Sequence, residues 1–188
     1  MDEIEAILQI LAVLAPHAID QRLVRCVERD TLESNQPPAF LHSSGKPNRY
    51  NPELFHCVYF SESPEVAALE YERFQKASGL DPVPFTTYFA DAKLPFLDLT
   101  DPLTLNALGL DPADLHTPWR LSPAPTGTQM LGAAVAKQMR FAAIRYPSDA
   151  ALAEREAGCN LVIFRDSIEA PASLRVLTGN LVALQQWP

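Results

Sequence analysis

Seventeen prolines against seven glycines are spread through the 188 residues, and this punctuation restricts the possible folds more than any other feature. Proline fixes φ and lacks an amide hydrogen, so it can open a helix but not continue one, and it interrupts a strand ladder. The chain is therefore cut into short elements. Ile4, Ile7, Leu8, Leu11 and Leu14 recur at helical spacing until Pro16, which predicts an amphipathic helix over residues 2–15. A capping side chain standing directly before a proline reads as a helix start at Ser63-Pro64, Asp101-Pro102 and Asp111-Pro112. In each pair the side-chain oxygen can accept an N–H of the first turn while the proline takes the first helical position. Gly79 and Gly109 suit the ends of the first two helices.

Strands are expected at Leu23–Val27, His56–Ser61, Pro84–Lys93, Pro95–Leu99, Phe141–Arg145 and Asn160–Phe164, with residues 173–177 as a final edge strand. Asn-Leu-Val-Ile-Phe at 160–164 is apolar without alternation, the pattern of a central strand covered on both faces. Gly127–Arg140, rich in Ala and Met, reads as a helix, and Trp119 as a packing residue. Residues 30–55 hold several prolines and no sustained period, so they read as a long loop. This length fits one domain. The division expected is a helical segment at 1–19 lying on an α+β domain at 20–188, unless its apolar stripe instead meets a partner or a second copy.

A formal charge of −8 argues against a general nucleic-acid binder, which would carry a basic face. Any anionic ligand must then be met by a local group of arginines. Cys26, Cys57 and Cys159 are odd in number and far apart, which suggests reduced thiols rather than a disulfide framework. The four histidines are scattered too, so no metal is expected. No apolar run reaches the roughly 20 residues of a membrane span, and Asp2, Glu3 and Glu5 stand where a secretory signal would be basic. A cytoplasmic location is the expectation.

Two charges are out of place. Arg25 shares a strand face with Leu23 and Val27, where a cation requires a partner; a structural ion pair would satisfy it, and so would an anionic ligand. Glu70 falls on the helix stripe formed by Val66, Leu69, Phe74 and Ala77, a costly position unless it bonds to Arg73, lies at the stripe's edge or is used.

The order of motifs is informative. An arginine-bearing strand (Leu23 to Val27) is followed by Arg49-Tyr50-Asn51-Pro52, then Tyr59-x-Ser61, then Ala67-x-x-Glu70 on a helix. Thr128-Gln129-x-x-Gly132, Arg145-Tyr146-Pro147-Ser148 and Gly158-x-Asn160-Leu161-Val162-x-Phe164 come later. This ordered set, running from about Arg22 to Phe164, resembles the RES domain, named for its Arg, Glu and Ser. The family's turn usually opens on a glycine, whereas Asn48 precedes Arg49 here. The resemblance implies a mono-ADP-ribosyltransferase-like fold: a split mixed β-sheet with flanking helices, to which the N-terminal helix is an addition.

It also implies a toxin of a toxin–antitoxin pair that breaks down NAD, by phosphorolysis with inorganic phosphate as co-substrate or by hydrolysis. NAD is then a substrate and no cofactor is required. The usual partner is an antitoxin with an Xre-like part that plugs the active site. Transfer of ADP-ribose to a protein or small molecule is the second reading, and a non-catalytic nucleotide-binding module the third. Carried onto this chain, Glu70 would stabilise the positive charge that develops on the ribose. Arg25 and Arg49 would grip the pyrophosphate. Tyr59, and with it Tyr50, would offer a face to the nicotinamide ring. Asn51 and Ser61 would complete the NAD site. Ser148 would bond to ribose or place the acceptor, its plainer role being a cap for the helix that follows.

Overall fold

The computed structural model describes residues 3–28, 46–79 and 83–188. In chain order the elements are α1 (Glu3–Val13), β1 (His17–Glu28), β2 (Cys57–Ser61), α2 (Pro64–Ala77), β3 (Phe85–Asp98), α3 (Pro102–Leu108), α4 (Gly127–Gln138), β4 (Ala143–Pro147), α5 (Asp149–Ala153), β5 (Cys159–Phe164), β6 (Ser173–Leu177) and β7 (Ala183–Trp187). Short 3-10 turns lie at Pro112–His116 and Trp119–Leu121. Most of the loop expected at 30–55 lies outside the described residues.

The capping pairs work as their chemistry dictates. The Ser63 hydroxyl accepts from the Val66 amide, and Asp101 accepts from Leu103 and Thr104; such caps are worth about 1 kcal/mol each. Gly109 ends α3 in the left-handed conformation. Asp111 and Asp114 form a capping box, but what they open is a 3-10 turn.

The sheet is mixed, with strand order β1-β2-β5-β4-β3-β6-β7 and a further pairing of β1 with β3. Every pairing is antiparallel except β3 with β4. The pairings run full circle through β1, β2, β5, β4 and β3, but the ring is open at one point. β1 and β2 meet only at Val24↔Ser61, whereas β1 follows β3 from His17↔Phe96 to Glu28↔Phe85. The sheet is therefore split between β1 and β2.

Several expected boundaries move for identifiable reasons. The two strands expected on either side of Leu94 are one strand, β3, which passes straight through Pro95. β6 pairs with β3 as far as Lys93 and β4 pairs from Phe96 onward, so the missing Pro95 amide falls at the handover between neighbours. β1 begins at His17 rather than Leu23 because β3 supplies a ladder to a stretch whose side chains are mostly exposed. β4 is Ala143–Pro147 rather than Phe141–Arg145, its register set by the pairing of Tyr146 with Asn160. Residues 173–177 are not an edge strand: β7, which was not expected, pairs along their outer side.

Two apolar clusters hold the fold. One gathers Leu23, Phe60, Tyr88, Leu94, Leu161 and Ile163; the other gathers Leu11, Tyr50, Leu99, Leu131, Phe141, Val162 and Phe164. β5 thus sends alternate side chains into each cluster, which is why 160–164 shows no polar alternation. α1 lies on α4, with Leu11 buried and Ile4, Ile7, Leu8 and Leu14 packed against the second cluster. Arg140 donates to the carbonyls of Leu11 and Ala12, closing the end of α1. Its stripe therefore covers the domain.

Candidate active site

α2 presents a different face to the core from the one its spacing suggests. Val66, Ala67, Tyr71 and Gln75 are buried, while Phe74 is 52% exposed and Ala77 is exposed. On a helix these two stripes are about 100° apart, and periodicity alone does not separate them. The stripe through Glu70, Phe74 and Ala77 instead forms one wall of a cavity of about 470 Å³, a size ordinary for a small-ligand site. The cavity fills the split between β1 and β2. Its lining includes Arg25, Arg49, Tyr59, Ser61, Glu70 and Asn160.

Glu70 is held by two donors on one oxygen. Oε1 accepts from Ser148 Oγ at 2.6 Å and from Asn160 Nδ2 at 2.7 Å. Ser61 Oγ donates to Asn160 Oδ1 at 2.7 Å, and this bond decides which end of the amide faces the carboxylate. Ser61, Asn160 and Ser148 are all buried. The second oxygen, Oε2, has no hydrogen bond among the described residues. Neutral donors on one oxygen fix the aim of the other. Arg73 does not pair with Glu70; it leans 3.8 Å toward Asp149 instead.

Ser148 takes the plainer of its two expected roles, the cap, and adds a bond to the carboxylate. Its hydroxyl accepts from the Ala151 amide at 3.1 Å, capping α5, while donating to Glu70. Gly158 makes this junction possible: a Cβ there would lie 2.4 Å from Val66 Cγ2, so only glycine lets α2 approach the start of β5.

Arg25 enters the cavity from β1. It donates to the Tyr59 carbonyl at 3.1 Å, and among the described residues no carboxylate lies within ion-pair distance of it. Burial pulls its pKa down from the usual guanidinium value, with the surrounding Cys57, Tyr59 and Tyr146 acting the other way. A cation so placed is an anion site by default. The structural ion pair that would have explained it away is not found among the described residues.

Tyr59 is fixed by its hydroxyl, which donates to Asn51 Oδ1 at 2.8 Å and accepts from the Tyr50 amide at 3.1 Å. The phenol is held neutral, its pKa raised well above normal by burial. Two expectations need correction here. Tyr50 is fully buried with its ring 4.4 Å from that of Tyr146, so it packs beneath the site and is no platform for a ligand. Asn51 is also fully buried and spends its side chain on Tyr59, Lys46 and Pro52. Apolar packing captured the one, and satisfaction of the turn's polar groups the other.

The turn at Arg49 is clamped by α4. Gln129 donates to the Asn48 carbonyl at 2.9 Å, and Gly132 sits so close that a Cβ would fall 1.7 Å from the Tyr50 carbonyl oxygen. Asn48 accepts from the Arg49 amide at 2.8 Å through its own side chain, and no residue from 48 to 51 has a positive φ. The turn therefore makes no conformational demand for glycine. Arg49 reaches the cavity, but its charge is engaged: it donates to Asp149 at 2.6 Å and to the Leu115 carbonyl at 2.5 Å. His116 Nδ1 bonds to the other Asp149 oxygen. Asp149 is thus the point at which α5, the Arg49 turn and the 112–117 segment meet.

Sequence reasoning missed Asn160, Asp149, His116 and Arg73 as members of this site. Asn160 carried a signal, a polar residue opening an otherwise apolar strand. Asp149 and His116 carried none, since only the fold brings them together. Among the described residues no group of three or more His, Cys, Asp or Glu could hold a metal ion, and no helix is long and apolar enough to cross a membrane.

A family model described as the RES domain matches residues 22–185. No curated protein matches the chain.

Proposed function

The chain belongs to the RES domain family, a toxin-associated family, and on that premise we propose that it cleaves the nicotinamide–ribose bond of NAD. The observation that carries the reading is the pairing of opposite needs in one cavity: among the described residues, a carboxylate whose Oε2 has no hydrogen bond and a half-buried arginine with no carboxylate within ion-pair distance. Cleavage breaks the C1″–N bond, the electron pair leaving with neutral nicotinamide while positive charge builds on the ribose. Glu70, aimed by Ser148 and Asn160, stabilises that charge through Oε2. Arg25 binds the pyrophosphate, and Tyr59 offers its fixed ring to the nicotinamide. Arg49 contributes at the mouth, sharing its charge with Asp149. An incoming phosphate or water oxygen then bonds to C1″, the water losing a proton to solvent, which completes phosphorolysis or hydrolysis. We place an antitoxin over the same cavity as partner, on the strength of family membership.

Incubation of the protein with NAD, with and without inorganic phosphate, tests the reading. Phosphate-dependent ADP-ribose-1″-phosphate identifies a phosphorylase, and ADP-ribose with nicotinamide a glycohydrolase. Label retained on a protein would replace both with a transferase, and intact NAD would leave only a binding module.

A further inference from the structure

The cavity extends beyond Glu70, and its outer part is built from two aromatic rings and two cations that the cleavage chemistry does not use. Phe74 follows Glu70 by one turn of α2, about 6 Å along the helix, and Ala77 lines the same wall farther out. Phe74 is 52% exposed, so its ring is open to whatever the cavity takes. Trp119, expected to pack in the core, belongs to neither apolar cluster and lines the cavity from the loop after α3. The Arg120 guanidinium lies over its ring at 5.0 Å.

Asp149 ties the two sides together. Arg73, next to Phe74, approaches it at 3.8 Å; His116 bonds to it; and Arg49, which pairs with it, also reaches the Thr117 carbonyl at 3.4 Å. The segments carrying Phe74 and Trp119 thus converge on one carboxylate. Arg73 is half-exposed and only loosely paired, so its charge is open to a ligand.

We propose that Phe74 and Trp119 form the subsite for the purine base of the substrate, with Arg73 and Arg120 flanking the phosphate-bearing linkage. The subsite rests on the dinucleotide reading above and adds to it the direction of binding: the nicotinamide ribose at Glu70, the base farther out along α2. Every base has a π-face, so stacking on aromatic side chains suits this end of the ligand. An arginine already lying over Trp119 adds a cation to the stack.

Calorimetric titration with ADP and, separately, with inorganic pyrophosphate tests this without any turnover. The wild-type chain is expected to bind ADP at least tenfold more tightly than pyrophosphate. Phe74→Ala and Trp119→Ala are each expected to weaken ADP about tenfold and leave pyrophosphate unchanged. Thermal midpoints close to wild type would confirm that both variants fold, as such surface positions allow. ADP affinity unchanged in both variants, or equal losses for ADP and pyrophosphate, overturns the subsite, as does failure of ADP to bind. The outcome is separable from the cleavage reading. Ring-dependent ADP binding by a protein that leaves NAD intact keeps the subsite and removes the activity. NAD cleavage with KM unchanged in both variants keeps the activity and removes the subsite.

Discussion

Asn160 connects the two hydroxyls of the site in a single line, Ser61 to Asn160 to Glu70, with Ser148 joining at the same carboxylate oxygen. Losing one hydrogen bond to a charged group costs about 1.5–3 kcal/mol, so Asn160→Ala is expected to lower kcat for NAD by about 10- to 100-fold with KM little changed. Asn160→Asp is more diagnostic. It puts a second carboxylate beside Glu70, and two like charges cannot both ionise cheaply; the pH profile of kcat should move measurably, whereas a purely structural Asn160 would lower activity evenly at all pH values. Glu70 was legible in the sequence as an acid on an apolar stripe, and Arg25 as a cation among hydrophobes. What held Glu70 was not legible, because Asn160 and Ser148 are separated from it by 90 and 78 positions and nothing local marks them as its donors.

The elements carry a different lesson. The capping pairs at Ser63-Pro64 and Asp101-Pro102 placed two helix starts correctly, since a cap and its proline act within one turn. The buried face of α2 was misjudged and β7 was not expected, because both depend on what packs against them. The Thr128-Gln129-x-x-Gly132 motif shows how a pattern legible as a family mark turns out to be a mechanical part: Gln129 bonds to the Arg49 turn and Gly132 lets it lie against α4. Gly132→Ala must displace the Tyr50 backbone, so urea denaturation should show a loss of about 3 kcal/mol. A stability within 0.5 kcal/mol or so of wild type would mean that the contact relaxes freely and that the turn is not held there.

At the scale of the whole molecule, the fold encloses phenols whose ionisation it opposes. Burial raises the pKa values of Tyr50, Tyr59 and Tyr146 above the ordinary phenol value near 10. A raised folded-state pKa means that the native protein keeps protons the unfolded chain releases, so this contribution is complete below about pH 10 and is lost as pH climbs toward the folded values. Thermal midpoints should therefore fall progressively as pH rises above about 10, and phenolate absorbance from these residues should appear together with unfolding. Titration of all five tyrosines near pH 10 with the fold intact would contradict the burial described. The split sheet, the α2 wall and the α5 cap together serve to aim one carboxylate into a cavity beside an arginine. The most direct test of that claim is nicotinamide release from NAD by the wild-type protein and by Glu70→Gln, measured alongside NAD binding. Release by the wild type and a loss of at least about 100-fold in the variant are expected, with binding retained. Equal release by both proteins would contradict it.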